Sequence, residues 1–254
     1  MAVCPEIRAE RERLCRAYRP GQPLPHFGYS SDEDALWSRL FATLRDMHVQ
    51  FACTRYQAAA RRVPLSADRV PQLSDVSHAL RSQTGFRLAP AMGALPGTLF
   101  YGPLADGILN ASPDVRPVAD ESYSPQPDVI HELVGHAVML ADPDFADLYR
   151  GFGRAAKESR SAEMSAAIAR LFWFTMEVGL IAEDGHPRAC GAAILSSVTA
   201  MRSFADAELR DFRIEDVLAT EIDDSARQPV LFVIDSVDRM MDEVRQFLTT
   251  SVAS

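Results

Sequence analysis

Pro127-Asp128-Val129-Ile130-His131-Glu132-Leu133-Val134-Gly135-His136 is the stretch on which the reading of this chain turns. It carries two imidazoles and two carboxylates, in a chain with only six histidines. Neutral imidazole is the commonest protein ligand for a transition metal, and two of them in apolar surroundings are costly unless something binds them. Pro127 and Asp128 suit a helix start, which puts both histidines in its first turns. His131-Glu132 followed by His136 is not the zinc-peptidase pattern H-E-x-x-H, whose histidines stand four apart on one helical face. Five apart, they point roughly 140° away from each other on a regular helix of about 3.6 residues per turn. Gly135 is the residue placed to let the backbone leave that geometry.

A third ligand comes from Leu171-Phe172-Trp173-Phe174-Thr175-Met176-Glu177-Val178-Gly179-Leu180, where one carboxylate interrupts an apolar run. Burying it is expensive unless it is paired or metal-bound. Taken alone, Glu177 reads as solvated or paired with an arginine such as Arg170. Beside the histidine pair, the metal is the stronger reading. His131, His136 and Glu177 then form the two-histidine, one-carboxylate set of non-heme iron(II) oxygenases, which leaves positions open for oxygen.

The 254 residues allow one large domain or two small ones, and 47% hydrophobic residues suit a substantial core. A formal charge of −9 argues against a nucleic-acid or anionic-membrane partner, since both want a basic face. Cys4, Cys15, Cys53 and Cys190 are scattered, which fits neither a disulfide framework nor a cysteine zinc site and implies a reducing compartment. Met1 to Leu14 is too rich in Glu and Arg for a signal peptide, and no apolar run reaches membrane-spanning length. The expectation is a soluble, cytoplasmic protein.

Along the chain, residues 5–18 read as a helix and Arg19 to Pro25 as an extended connector. Ser31-Asp32-Glu33-Asp34 is a capping signature opening a helix through Trp37, Leu40, Phe41, Leu44, Met47 and Phe51. Another helix follows the break at Pro64 to Pro71, and residues 85–103 read as strand and loop. Helices are expected at about 144–156, 161–180, 191–204 and Val237 to Phe247. With no repeat or long linker, the expectation is a single, mainly α domain over 1–254 with a few short strands.

The same residues carry a resemblance. Pro127-Asp128-x-x-His131-Glu132-Leu133-x-Gly135-His136, Phe172-Trp173-Phe174-Thr175-x-Glu177-x-Gly179-Leu180 and Leu195-Ser196-Ser197 resemble the pterin-dependent aromatic amino acid hydroxylases. The similarity runs from about Pro5 to about Phe247 and takes in Arg19-x-Gly21-Gln22-Pro23-x-Pro25, Pro71-Gln72-Leu73-x-Asp75-Val76-Ser77, Thr84-Gly85-Phe86-Arg87-Leu88-x-Pro90, and Gln228-Pro229 with Phe232-Val233. It implies a helical, basket-like catalytic domain with iron in a central cleft. Relatives often add an N-terminal regulatory domain and a C-terminal oligomerisation helix, and this chain is expected to hold neither and to be a monomer or dimer.

The implied chemistry is ring hydroxylation of an aromatic amino acid, using Fe(II), a tetrahydropterin and O2. By motif, Glu132 matches the acidic residue beside pterin and iron. Gly93, Leu95 and Phe100 match the pterin wall, with Phe100 able to stack on the ring, and Tyr29 lies where a mobile lid closes. Arg116 matches the arginine that grips the substrate carboxylate. Ser124, Pro125, Trp173 and Ser196 match other pocket positions, and Ser196 is also placed to orient His131.

The chain departs from the family pattern at several of these places. Asn110 stands where a ring contacting pterin is common, Val178 where Phe is usual, and Phe172 where Tyr is common. A wider pocket follows, and with it an open choice of pterin and of the ring position attacked. Trp173 disfavours an indole substrate. Asp224, placed by counting back from Gln228-Pro229, resembles tyrosine hydroxylases, so tyrosine stands beside phenylalanine as a substrate. Two other classes compete with this reading. One is a zinc hydrolase on the same three ligands with Glu132 as base, disfavoured by the histidine spacing. The other is a non-catalytic binding relative, which would be expected to have lost a ligand or Arg116.

Overall fold

The computed structural model describes residues 5–117, 126–223 and 228–250. Helix α1 (Pro5–Ala17) leads through an extended connector into α2 (Ser31–Phe51). Ser30, not Ser31, caps α2. Its side chain accepts from the backbone N–H of Glu33, and Glu33 reaches back to the Ser30 N–H at 2.8 Å. Glu33 also receives both Nη atoms of Arg11, at 2.8 and 2.7 Å, so one buried carboxylate caps α2 and ties α1 to it.

A short α3 (Thr54–Ala60), absent from the expected elements, precedes α4 (Leu73–Gln83). The segment read as strand and loop contains β1 (Arg87–Pro90), but Gly97–Leu104 is a helix, α5. Two glycines and Pro103 hide it from propensity arguments, and packing against α7 (Pro143–Glu158), which follows the single turn α6 (Val138–Leu140), holds it in place. Strand β2 (Ile108–Ala111) then pairs in parallel with β1, Arg87 opposite Ile108.

The run expected as one helix over 161–180 is α8 (Ala162–Phe172) followed by a different winding and then a strand. That strand, β3 (Leu180–Glu183), turns through Asp184 and Gly185, both at positive φ, into antiparallel β4 (His186–Ala189). Two-residue hairpin loops need this left-handed backbone. With β5 (Glu208–Asp211) and β6 (Val230–Ile234) they make a four-stranded sheet in the order β4-β3-β6-β5. Residues 191–204 are two helices, α9 (Ala192–Leu195) and α10 (Val198–Ser203), broken where Ser197 caps the second. A short α11 (Ile214–Ala219) follows β5, and α12 (Val237–Thr250) closes the described chain. Among the described residues no helix is long and apolar enough to cross a membrane.

Two buried polar side chains brace the middle of this fold. His48, in the last turn of α2, bonds the Leu195 carbonyl at 2.7 Å, and Tyr56 of α3 donates to the Val134 carbonyl at 2.7 Å. Their rings meet edge-on at 4.8 Å. Burial holds the His48 pKa down to about 4, only partly offset by the Leu195 carbonyl. The folded protein thus refuses a proton that the unfolded chain accepts below about 6.5. The stability contributed by neutral His48 is complete above that pH and is lost as pH falls toward 4, up to about 3 kcal/mol. Urea unfolding of wild type and His48→Gln between pH 7 and 4 checks this. The variant is expected to lose less stability than wild type across that window.

Candidate metal and substrate site

The two histidines meet because the helix between them is not an α-helix. His131–Ala137 is wound as a π-helix, with bonds from residue i to i+5. In that wider turn, residues five apart come much nearer to one face than they do in an α-helix. The rings of His131 and His136 lie 4.7 Å apart at 90°. A second π-helical segment, Trp173–Glu177, carries the third ligand. Gly135 lies within the first π-helix, where the backbone leaves α geometry, and it contributes in a further way. A Cβ there would lie 2.8 Å from Ala192 Cβ and 2.9 Å from the Ala192 carbonyl oxygen, so its small size admits α9. Gly191 does the same for the other ligand, since a Cβ there would lie 2.3 Å from the Glu177 carbonyl oxygen. Two glycines therefore press the α9 turn against both ligand-bearing segments.

The ligand atoms of His131, His136 and Glu177 all lie within 4.8 Å of one another. His136 Nε2 stands 3.2 Å from Glu177 Oε1, and His131 Nε2 stands 3.6 Å from Glu177 Oε2. Side-chain exposure is 1% at His136 but 16% at His131 and 11% at Glu177, so the cluster opens on one side. Burial pushes the His131 pKa down to about 4, which leaves it a neutral ligand. Burial opposes charge on His136 and Glu177 as well, yet each holds the other charged, His136 raised and Glu177 lowered from their usual ranges. The cluster favours one positive charge at its centre, which is what a metal ion brings. Two buried oxygens, Glu177 Oε2 and Glu132 Oε2, have no hydrogen-bond partner. The donor set and these unsatisfied atoms fit an iron(II) ion.

Both imidazoles are held from behind. His131 Nδ1 lies 3.2 Å from Ser196 Oγ, as the sequence suggested. Ser196 gives its own proton to the Ala192 carbonyl at 2.7 Å, so toward His131 it acts as acceptor. That fixes the proton on Nδ1 and turns the Nε2 lone pair inward. His136 Nδ1 lies 2.8 Å from Tyr149 Oη. Sequence reading missed Tyr149, which arrives from α7 and offers no local motif.

Glu132 is buried, with Oε1 accepting from the Ser112 N–H at 3.3 Å. Desolvation raises its pKa to about 8. Phe100 packs its ring 6.4 Å from His136 and 5.5 Å from Phe172, beside the ligands. Gly93 sits at φ 66°, and Leu95 is half-buried in the segment leading to α5. Asn110 donates to the Leu99 carbonyl at 2.8 Å, bracing the start of α5. Tyr29 makes its contacts elsewhere. Its ring lies 4.4 Å below the Arg11 guanidinium, in the cluster with Glu33 and Asp114, and none of its described contacts reaches the ligands. Ser124, Pro125 and Asp224 lie outside the described residues.

Arg116 turns its guanidinium fork on Asp128, Nε and Nη2 each at 2.8 Å, with both residues buried. Burial works against the Asp128 charge, but Arg116 holds the carboxyl below its usual range. Asp128 also accepts from the His131 N–H at 3.0 Å, linking the arginine to the start of the π-helix. Trp173 is half-buried. Its Nε1 donates to Gln228 Oε1 at 3.0 Å, the same oxygen that accepts from the Asp223 N–H at 2.8 Å.

Residues 3–253 match the model of the biopterin-dependent aromatic amino acid hydroxylase family. The chain belongs to that family. It is 35% identical to phenylalanine 3-hydroxylase of Streptomyces coeruleorubidus over 96% of this chain and 87% of that one. To mouse tyrosine 3-monooxygenase it is 34% identical over 91% of its length, and it spans about half (47%) of that longer protein. Phenylalanine hydroxylase from Chromobacterium violaceum, crystallised with iron(III) and oxidized 7,8-dihydrobiopterin, superposes with a TM-score of 0.85 at 27% identity, covering 99% of this chain and 94% of that one. This hydroxylase is thus mainly α with a few strands, as expected, and is a pterin-dependent enzyme by descent.

The Arg116–Asp128 pair makes a direct prediction. Asp128→Asn removes the charge that the buried guanidinium faces, and breaking such a pair costs about 3–5 kcal/mol. Urea unfolding is expected to show a loss of that size, far above the effect of Asp235→Asn at the exposed Arg239 pair.

Proposed function

We propose that this hydroxylase inserts one oxygen atom of O2 into the ring of phenylalanine or tyrosine, with a tetrahydropterin as co-substrate and iron(II) on His131, His136 and Glu177. The observation that carries the reading is the convergence of those three donors within 4.8 Å, beside carboxylate oxygens that nothing else satisfies. Bound there, iron(II) would activate O2 with electrons supplied by the tetrahydropterin. The chain's own residues do the rest. Ser196 keeps His131 Nε2 free of its proton. Phe100 supplies an aromatic face beside the ligands for the pterin ring. Glu132, buried next to His131, holds a proton up to about pH 8 in the metal-free site and can offer it to a polar edge of the pterin. Arg116, oriented by Asp128, is the cation for the substrate carboxylate. Trp173 and the 221–223 segment, joined through Gln228, flank the substrate ring.

A zinc hydrolase on the same ligands is disfavoured by the five-residue histidine spacing, which is not the zinc-peptidase pattern. The family's reaction is the better fit.

The test supplies purified protein with Fe(II), a tetrahydropterin and O2, offers phenylalanine, tyrosine and tryptophan separately, and identifies products by mass spectrometry and NMR. Hydroxylated phenylalanine or tyrosine is expected, with tryptophan the poorest substrate. His131→Ala, His136→Ala and Glu177→Ala are each expected to abolish hydroxylation and to weaken iron binding by at least 100-fold in a chelator competition. Near-normal turnover in all three would remove the triad.

A further inference from the structure

We infer that Tyr149 is a positioning residue for the metal, fixing the tautomer and the tilt of His136 as Ser196 does for His131. The inference rests on the proposed iron site and adds a residue to it. His136 and Tyr149 are both buried, and His136 Nδ1 to Tyr149 Oη is 2.8 Å. The hydroxyl has one other neighbour of note, the Met139 sulfur at 3.9 Å. A thioether accepts only weakly, but here it takes a proton that has nowhere better to go once Tyr149 accepts from His136. The chain of donors then runs His136 Nδ1–H to Tyr149 Oη, and Tyr149 O–H to Met139 Sδ. With the Nδ1 proton fixed in this way, Nε2 is the nitrogen that faces Glu177, and a metal taking the place of its proton would meet the Nε2 lone pair there.

The ring has little freedom to choose otherwise. Tyr149 packs edge-on against His136 at 5.9 Å, Phe86 at 6.4 Å and Phe172 at 5.4 Å. Phe172 in turn meets Phe100, Tyr101 and Phe152 edge-on, between 5.1 and 5.5 Å. Three aromatic neighbours thus hold the phenol in one plane behind the ligand, and Phe172 is itself braced by three more rings. A water molecule could replace the hydroxyl's hydrogen bond, but not its fixed direction. Tyr149 stands on α7, an element separate from both ligand-bearing segments, so it also ties the position of His136 to the packing of α7. Loss of such a partner typically weakens metal binding 10–100-fold.

The experiment uses the full chain and Co(II), which reports ligand geometry through its visible absorption. Co(II) affinity and spectrum are measured for wild type, Tyr149→Phe, Ser196→Ala and protein carrying 3-fluorotyrosine at position 149. Fluorine keeps the ring and hydroxyl but makes the oxygen a poorer acceptor, so this variant remains informative if Tyr149→Phe does not fold. The expected result is 10–100-fold weaker Co(II) binding with a shifted absorption band in Tyr149→Phe, a loss comparable to that in Ser196→Ala, and a smaller loss with the same direction of shift in the fluorotyrosine protein. If wild type binds Co(II) while Tyr149→Phe or the fluorotyrosine protein matches it in affinity and spectrum, Tyr149 is only packing and the inference falls alone. If wild type binds no Co(II), the metal site itself falls and the inference with it.

Discussion

Everything at this site depends on a backbone that is wound one residue wider than an α-helix. In His131–Ala137 the i to i+5 pattern brings together two imidazoles that an α-helix would send to opposite sides. Such a turn is rarely stable by itself, and its neighbours hold it. Tyr56 takes up the Val134 carbonyl, Asp128 takes the His131 N–H, and α9 lies against Gly135 so closely that no side chain fits between them. Each of these contacts comes from a different part of the chain.

The electrostatics follow from the same crowding. A buried carboxylate among buried imidazoles is unfavourable for all three unless positive charge enters, and the metal-free cluster meets that demand with a proton on the His136–Glu177 pair. Arg116 and Asp128 form a second buried pair, bonded to the His131 N–H through Asp128 and already neutralised, so its charge does not compete with the ligands. Demand for a cation is thereby confined to one place.

The sequence made the ligands legible because chemistry is local there. Two histidines and one acid in apolar runs cannot be bland, and several ordered motifs carried the family with them. Long helices with clean periodicity, α2, α4, α7 and α12, were legible for the same reason. The failures are equally physical. Periodicity cannot distinguish a π-turn from an α-turn, so the five-residue spacing read as an obstacle when it was the signature. Helix α5, rich in glycine and proline, exists through contact with α7, which no local rule sees. Tyr149 and Met139 acquire meaning only when α7 folds back over the ligands, and Gly135, inside the π-turn, also makes room for α9. Tyr29, expected at a lid by position, packs its ring under the Arg11 guanidinium, a contact no local pattern announces.

Gln228 carries a last implication. One side-chain oxygen accepts both from the Trp173 indole and from the backbone of Asp223, while the amide nitrogen holds the Glu221 carbonyl at 3.2 Å. Trp173 opens the π-segment that ends in Glu177. The 221–223 segment, set beside the substrate ring in the proposed function, is therefore tied through a single amide to the stretch that bears a metal ligand. Exchanging that segment to change which ring is accepted is not a modular operation in this scaffold: whatever length or sequence is grafted there inherits the task of keeping Glu177 aimed.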